Sequence, residues 1–181
     1  MRTHQLSWNT TQGWRATGEN YADADLVLYF GGRSALACGA RYQELRAMFA
    51  KAHVMGCSTG GQIRNDDVDD EIAAVALRFD RTRLGLACEA VPAPSHSRAC
   101  GEAIGRRLMA DDLAGIFVLS DGLNVNGSEL VRGLNSVLPS SVVVTGGLAG
   151  DGDRFRRTWV VDAGRPADRC VSAVGDRKSV V

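Results

Sequence analysis

Three apolar segments of this 181-residue chain run straight into glycine-bearing loops. Val142-Val143-Val144 leads into Thr145-Gly146-Gly147-Leu148-Ala149-Gly150-Asp151-Gly152, which places four glycines within residues 146–152. Val54-Met55 leads into Gly56-Cys57-Ser58-Thr59-Gly60-Gly61, and Gly115-Ile116-Phe117-Val118-Leu119 into Ser120-Asp121-Gly122-Leu123-Asn124. Apolar runs of this kind suit buried strands. In open α/β sheets, ligands bind in the crevice at the carboxyl ends of the strands. Glycine there lets backbone N–H groups approach a ligand, because no Cβ intervenes. The pattern predicts an α/β fold whose strand exits gather small polar loops, and those loops are the first candidates for a small-ligand site.

The balance of residues supports a globular protein and removes several function classes. The chain is 45% hydrophobic and 23% charged, which excludes a disordered or fibrous chain. Its 21 basic and 21 acidic residues cancel, so no global positive field attracts nucleic acid or an anionic membrane. Arg106-Arg107 and Arg154, Arg156 and Arg157 are local clusters that suit a solvated face. The five cysteines, Cys38, Cys57, Cys88, Cys100 and Cys170, are odd in number and lack CxxC spacing. That argues against a disulfide framework or a structural zinc site and fits reduced thiols in a cytoplasm. Met1-Arg2-Thr3-His4-Gln5-Leu6 does not resemble a signal peptide, and no apolar run has the length of a membrane helix.

Periodicity places the elements. Residues 2–8 suit a short edge strand and 10–20 a loop or weak hairpin. Strands are expected at 25–30, 53–56, 73–79, 83–91, 114–119, 142–145, 158–161 and 170–174, with the 83–91 strand as the antiparallel neighbour of 73–79. Helical spacing of Tyr42, Leu45, Met48 and Phe49, of Cys100, Ala103, Ile104 and Leu108, and of Leu130, Leu134, Val137 and Leu138 predicts three helices. Ser95 or Ser97 can cap the second, and Pro139 stops the third. Asn65–Glu71 suits an acidic solvated turn, and it lacks the spacing and glycine of an EF-hand loop. Counted from residue 25 the order is β-α-β-β-β-α-β-α-β-β-β, so the expected fold is α/β with mixed parallel/antiparallel sheets and flanking helices.

Five of these segments carry a family resemblance. They are Ala24–Phe30, Gly56–Ile63, Ala74–Phe79, Leu119–Gly127, and Thr145–Gly152 followed by Phe155 and Thr158. In order and spacing they resemble the N-terminal part of a FIST domain over residues 24–162. The resemblance implies a sensory module of signal transduction that binds a small ligand, with amino acids the usual proposal and haem-binding nitric-oxide sensing in some members. It divides the chain into an N-terminal strand and loop (1–23), a FIST N-terminal domain (24–175) and an irregular tail (176–181), with the family's C-terminal portion absent. It also implies a signalling partner protein as the outlet, since no output domain accompanies it.

The candidate ligand contacts follow from the three loops. Backbone amides at Gly146, Gly147 and Gly60 suit an anionic group. The start of the helix after Gly122 suits an anion as well, and Asp121 and Asp151 suit a ligand ammonium. Cys57, Ser58, Thr59 and Asn124 add hydrogen-bonding groups. The plainer roles are close packing for the glycines, a strand-closing turn for Asp121 with Asn126 or Ser128 as the helix cap, and a buried thiol for Cys57. The glycine loops lack the Gly-Lys-Ser/Thr ending of a Walker loop. No catalytic residue, resident metal or cofactor is expected. If haem binds, His4, His53 and His96 are the candidate axial ligands. A cysteine hydrolase using Cys57 is a second alternative, weakened because neither internal histidine lies in a motif with the thiol.

Overall fold

The computed structural model describes residues 1–17, 22–64, 67–69, 71–162 and 164–178. Along the chain these form β1 (Arg2–Asn9), β2 (Gly13–Thr17), β3 (Leu26–Gly32), α1 (Arg33–Leu36), α2 (Ala40–Met48), β4 (His53–Thr59), β5 (Gln62–Arg64), β6 (Asp67–Asp69), β7 (Ile72–Arg78) and β8 (Thr82–Ala90). A 3-10 turn (Pro94–His96) then leads into α3 (Ser97–Leu108), β9 (Leu113–Ser120), α4 (Gly127–Val137), β10 (Val143–Leu148), β11 (Val160–Asp162), β12 (Arg165–Ala167) and β13 (Cys170–Lys178).

The strands make two mixed sheets and one small hairpin. The larger sheet has the order β12-β11-β4-β3-β7-β1-β2, and only its β3–β4 pair is parallel. The smaller has the order β10-β9-β13-β8, with β10–β9 parallel and the other pairs antiparallel. β5 and β6 pair with each other.

Strand alternation shows why both sheets are covered on both faces. On β3, Val27 and Tyr29 pack with Leu36, Leu45 and Phe49 of the α1/α2 layer, while Leu26, Leu28 and Phe30 face the opposite way. There they meet Phe117 and Leu119 of β9, Leu84 and Leu86 of β8, and Val174 of β13. The other face of β9, Ile116 and Val118, packs with Ile104, Leu130 and Leu134 of α3 and α4. The layers therefore run helix, sheet, sheet, helix, with one core in each of the three gaps. Because each strand contributes to two cores, β3, β4 and β9 read as nearly continuous apolar runs.

Several expected elements lie elsewhere. The 2–8 strand is not an edge: β1 sits between β7 and β2, and Gly13–Thr17 of the expected weak hairpin forms the edge instead. The 83–91 strand is not the partner of 73–79, since β8 pairs with β13 in the smaller sheet while β7 lies between β3 and β1. Apolar runs identify buried strands but do not encode which sheet receives them. Asp176–Lys178 continue β13 against Thr82–Leu84, where the sequence predicted an irregular tail; residues 179–181 lie outside the described residues. Part of the Asn65–Glu71 run and residues 18–20 of the first loop lie outside them too, while the Asp67–Asp69 backbone forms β6. The one-turn α1 and the three-residue β5, β6 and β12 are too short to leave a periodic signal.

α3 and α4 cross with their backbones in contact. A Cβ on Gly133 would sit on the carbonyl oxygen of Arg98, and one on Gly101 on that of Leu130. Replacing a helix-interior glycine by alanine ordinarily stabilises by about 1 kcal/mol. Here the contact atoms are backbone and cannot rotate away, so the sign should reverse. Gly133→Ala is expected to destabilise the fold by about 2–3 kcal/mol, read as a lower urea midpoint; a midpoint at or above that of the parent would overturn this packing.

Candidate functional site

The exits of β4, β9 and β10 do converge, although their strands belong to different sheets. Gly150 donates its N–H to Ser58 O at 2.8 Å, and Ala149 donates to Ser120 O at 2.7 Å. Ser58 is fully buried; its Oγ donates to Gly150 O at 2.8 Å and accepts from Trp159 N at 2.9 Å. Gly60 meets Gly150 and Gly152 backbone to backbone, and a Cβ on Gly122 would sit on Ala149 O. Gly122 N–H donates to Thr158 Oγ1 at 3.2 Å. These glycines let one loop pack on another.

The two aspartates hold this junction together. Asp121 is completely buried, and its carboxylate accepts four hydrogen bonds. Oδ1 takes Leu123 N and Asn124 N at 2.7 and 2.9 Å, and Oδ2 takes Asn124 Nδ2 and Arg169 N at 3.1 and 2.6 Å. Asp151 is organised alike. Its Oδ1 lies 3.2 Å from Arg33 Nε and 3.1 Å from Arg154 Nε, and its Oδ2 accepts Arg156 N and Arg157 N at 3.1 and 3.2 Å. A carboxylate offers about four acceptor sites, so both are fully used within the chain. Burial pushes the Asp121 carboxyl up, but the amides of Arg169, Leu123 and Asn124 outweigh it and leave its pKa lowered. For Asp151, burial is outweighed by the amides of Arg157 and Arg156, the Arg154 side chain and the Arg33 charge. The resulting loops place two non-glycine residues in the left-handed region, Phe155 at φ 47° and Arg169 at φ 52°, a conformation uncommon for residues with a Cβ.

An open concavity lies beside this junction, between β10 and the start of α4. It has a volume of about 440 Å³ and is lined by Val118, Ser120, Gly127, Leu130, Val131, Leu134, Val144, Thr145, Gly146, Gly147 and Leu148. Gly146 has φ 150°, and a Cβ there would sit on Val118 O, so only glycine lets β10 follow β9 at this point. Asn126 caps α4, its side chain accepting from Glu129 N at 3.1 Å. The two preceding helix amides, Gly127 and Ser128, have no intrahelical acceptor, as in any α-helix.

Of the candidate contacts, Gly146 and Gly147 line the cleft. Ser58, Gly60, Asp121, Gly122, Asn124 and Asp151 form the junction, with half-buried Thr59 next to it on β4. Cys57 lies in the core between the sheets, and burial pushes its thiol up to about 12. His4 is buried on β1, His53 begins β4 and His96 ends the 3-10 turn. No histidine, cysteine or methionine lines the cleft among the described residues, so it presents no axial ligand to haem. Among the described residues no three potential metal ligands gather. The cleft residues absent from the sequence-based set are Val118, Ser120, Val144, Thr145, Leu148 and the α4 residues Gly127, Leu130, Val131 and Leu134. Leu130 and Leu134 carry the apolar stripe of α4, which by itself reads as core.

A carboxylate with a lowered folded pKa stabilises the fold above its unfolded value of about 4, and that contribution is lost as pH falls through the folded value. Asp121→Asn and Asp151→Asn should each lower stability at neutral pH and make its decline below about pH 4 shallower than in the parent. Urea midpoints measured against pH check this, and an unchanged acid slope in both variants would overturn it.

No helix of the described residues is long and apolar enough to cross a membrane. No curated protein matches the chain. A family model, FIST N domain, matches residues 25–180. This match shows that the chain belongs to the FIST N domain family, a family of sensory domains of signal transduction.

Proposed function

We propose that this domain binds a small amino-acid-like ligand in the β10/α4 cleft and works as a sensor without catalysis. The observation that carries the proposal is the pairing, in one cleft of about 440 Å³, of apolar walls with the opening turn of α4. The volume falls within the range of about 300–1,000 Å³ usual for ligand sites. A ligand carboxylate placed at Gly127 and Ser128 would meet helix amides and the positive end of the helix dipole. An apolar side chain would then lie along Val131, Val144 and Leu148. The Thr145 hydroxyl supplies an acceptor for the ammonium, since Asp121 and Asp151 are already engaged. A signal requires that the ligand bind one of two conformations more tightly.

The test is thermal unfolding screened against the amino acids. A ligand at a hundred times its dissociation constant adds about 2.7 kcal/mol, a readable shift. Gly127→Pro separates the amide from the cleft. Proline is favoured at the first helical position, and Asn126 has the extended rather than helical backbone that suits a residue before proline. Gly127→Pro should melt normally but lose the ligand shift, while Gly127→Ala, which keeps the N–H, should retain it. Equal shifts in both variants would remove the carboxylate from the α4 terminus, and no shift with any amino acid would overturn the ligand class.

The buried Cys57 supports the non-catalytic part of the proposal, because the thiolate is the nucleophile and burial disfavours it. Iodoacetamide at about pH 8 should label the exposed Cys38 and spare Cys57 in the folded protein. Fast labelling of Cys57 would reopen a cysteine-dependent reaction.

A further inference from the structure

Phe155 is the most exposed large apolar side chain among the described residues, at 76%. It stands in the left-handed region at the tip of a loop, with Arg154, Arg156 and Arg157 around it. The loop does not reach this shape by default. Asp151 holds it from beneath, through the Arg154 side chain and the Arg156 and Arg157 amides. A second left-handed residue, Arg169, hangs from Asp121 by its own amide. The two loops are joined at the surface, where Arg157 Nε donates to Asp168 Oδ2 at 3.0 Å and the Arg157 guanidinium lies 4.3 Å over the Trp159 ring. Two buried carboxylates thus fix one outward face that presents an aromatic ring among arginines.

The charge of that face specifies its partner. Arg33 and Arg154 share Asp151, and Arg157 is matched by Asp168. Arg156 and Arg169 are exposed and make no ion pair among the described residues, and Asp153 is the one further acid of the loop. The surplus is positive and local, on a chain whose formal net charge is zero. A nucleic acid or an anionic bilayer is held by many phosphates acting over a broad basic surface, whereas the surplus on this face is a few arginines. A short acidic segment with an apolar side chain needs only a few arginines and one aromatic anchor.

We propose that the 152–157 and 168–169 loops form a docking face for an acidic segment of a partner protein, with Phe155 as its anchor. The face adjoins the cleft through the chain itself. Asp151 follows the cleft residue Leu148 by three positions, and Asp121 directly follows Ser120. This docking stands apart from the identity of any cleft ligand.

The test measures fluorescence polarisation of a labelled nonapeptide of glutamates around a central leucine, added to the parent protein, Phe155→Gly and Arg156→Glu. Glycine relieves the left-handed backbone, so Phe155→Gly should melt no lower than the parent. Both variants should bind about tenfold or more weakly, and binding should weaken with added salt. The proposal is overturned if the parent fails to bind the peptide, if Phe155→Gly binds it as the parent does, or if the parent binds phosphatidylserine vesicles or single-stranded DNA in preference to it. Loss of binding accompanied by a lower melting temperature in Phe155→Gly would assign the ring a structural role and would also overturn it.

Discussion

Two sheets that share a core are free to slide unless something fixes one against the other. In this domain the lock is polar and sits at the strand exits. Ser58 lies next to the end of β4 in the larger sheet and exchanges backbone and hydroxyl hydrogen bonds with Gly150, which follows β10, an edge strand of the smaller one. Ser120 holds Ala149, and Trp159 returns to Ser58 as the chain re-enters the larger sheet. Apolar contact between the sheets is non-directional, whereas these bonds admit one register. Their burial makes each of them costly to leave unmade.

Asp121 and Asp151 extend the lock outwards. Each carboxylate gathers N–H groups from segments that share no regular secondary structure, and each thereby sets the path of a surface loop. Cleft, junction and basic face are in consequence consecutive along the same short stretches of chain. A shift of Leu148 or Ser120 within the cleft acts on a loop tied by three bonds to a single buried carboxylate. Such a tie transmits displacement better than a flexible loop does, because packed and fully bonded elements have few intermediate arrangements.

The sequence made the buried strands and the three long helices legible, because apolar runs and helical spacing depend on local chain geometry. It also made the convergence of the three glycine loops legible. What it could not show was which backbone would occupy the space each glycine leaves. Gly122, Gly60 and Gly150 admit neighbouring loops, and Gly146 admits β9. Asp121 and Asp151 carry no local mark that separates a carboxylate awaiting an ammonium from one already saturated by amides; the donors Arg169 and Arg157 lie in later segments. The cleft walls were hidden for a related reason. Leu130 and Leu134 have the spacing of core residues and are buried, and the exposed wall is made by Val131, which stands beside that stripe, and by Leu148 of the edge strand β10. The sheet assignment of β8 was equally non-local, since its partner is the last described strand.

That last pairing bears on how the domain is assembled. β13 lies between β9 and β8, with Cys170 opposite Ala90 and Lys178 opposite Thr82. β8 and β9 therefore have no direct hydrogen-bonded contact, although they flank α3 in the sequence. During synthesis on a ribosome, β8, α3, β9, α4 and β10 are all made before the strand that joins them exists. The larger sheet is also incomplete at that stage, but its central β3, β4 and β7 are already available to pair. The domain should consequently mature from the larger sheet outwards, with the smaller sheet closing late around its own central strand, and such long-range closure is intrinsically slow.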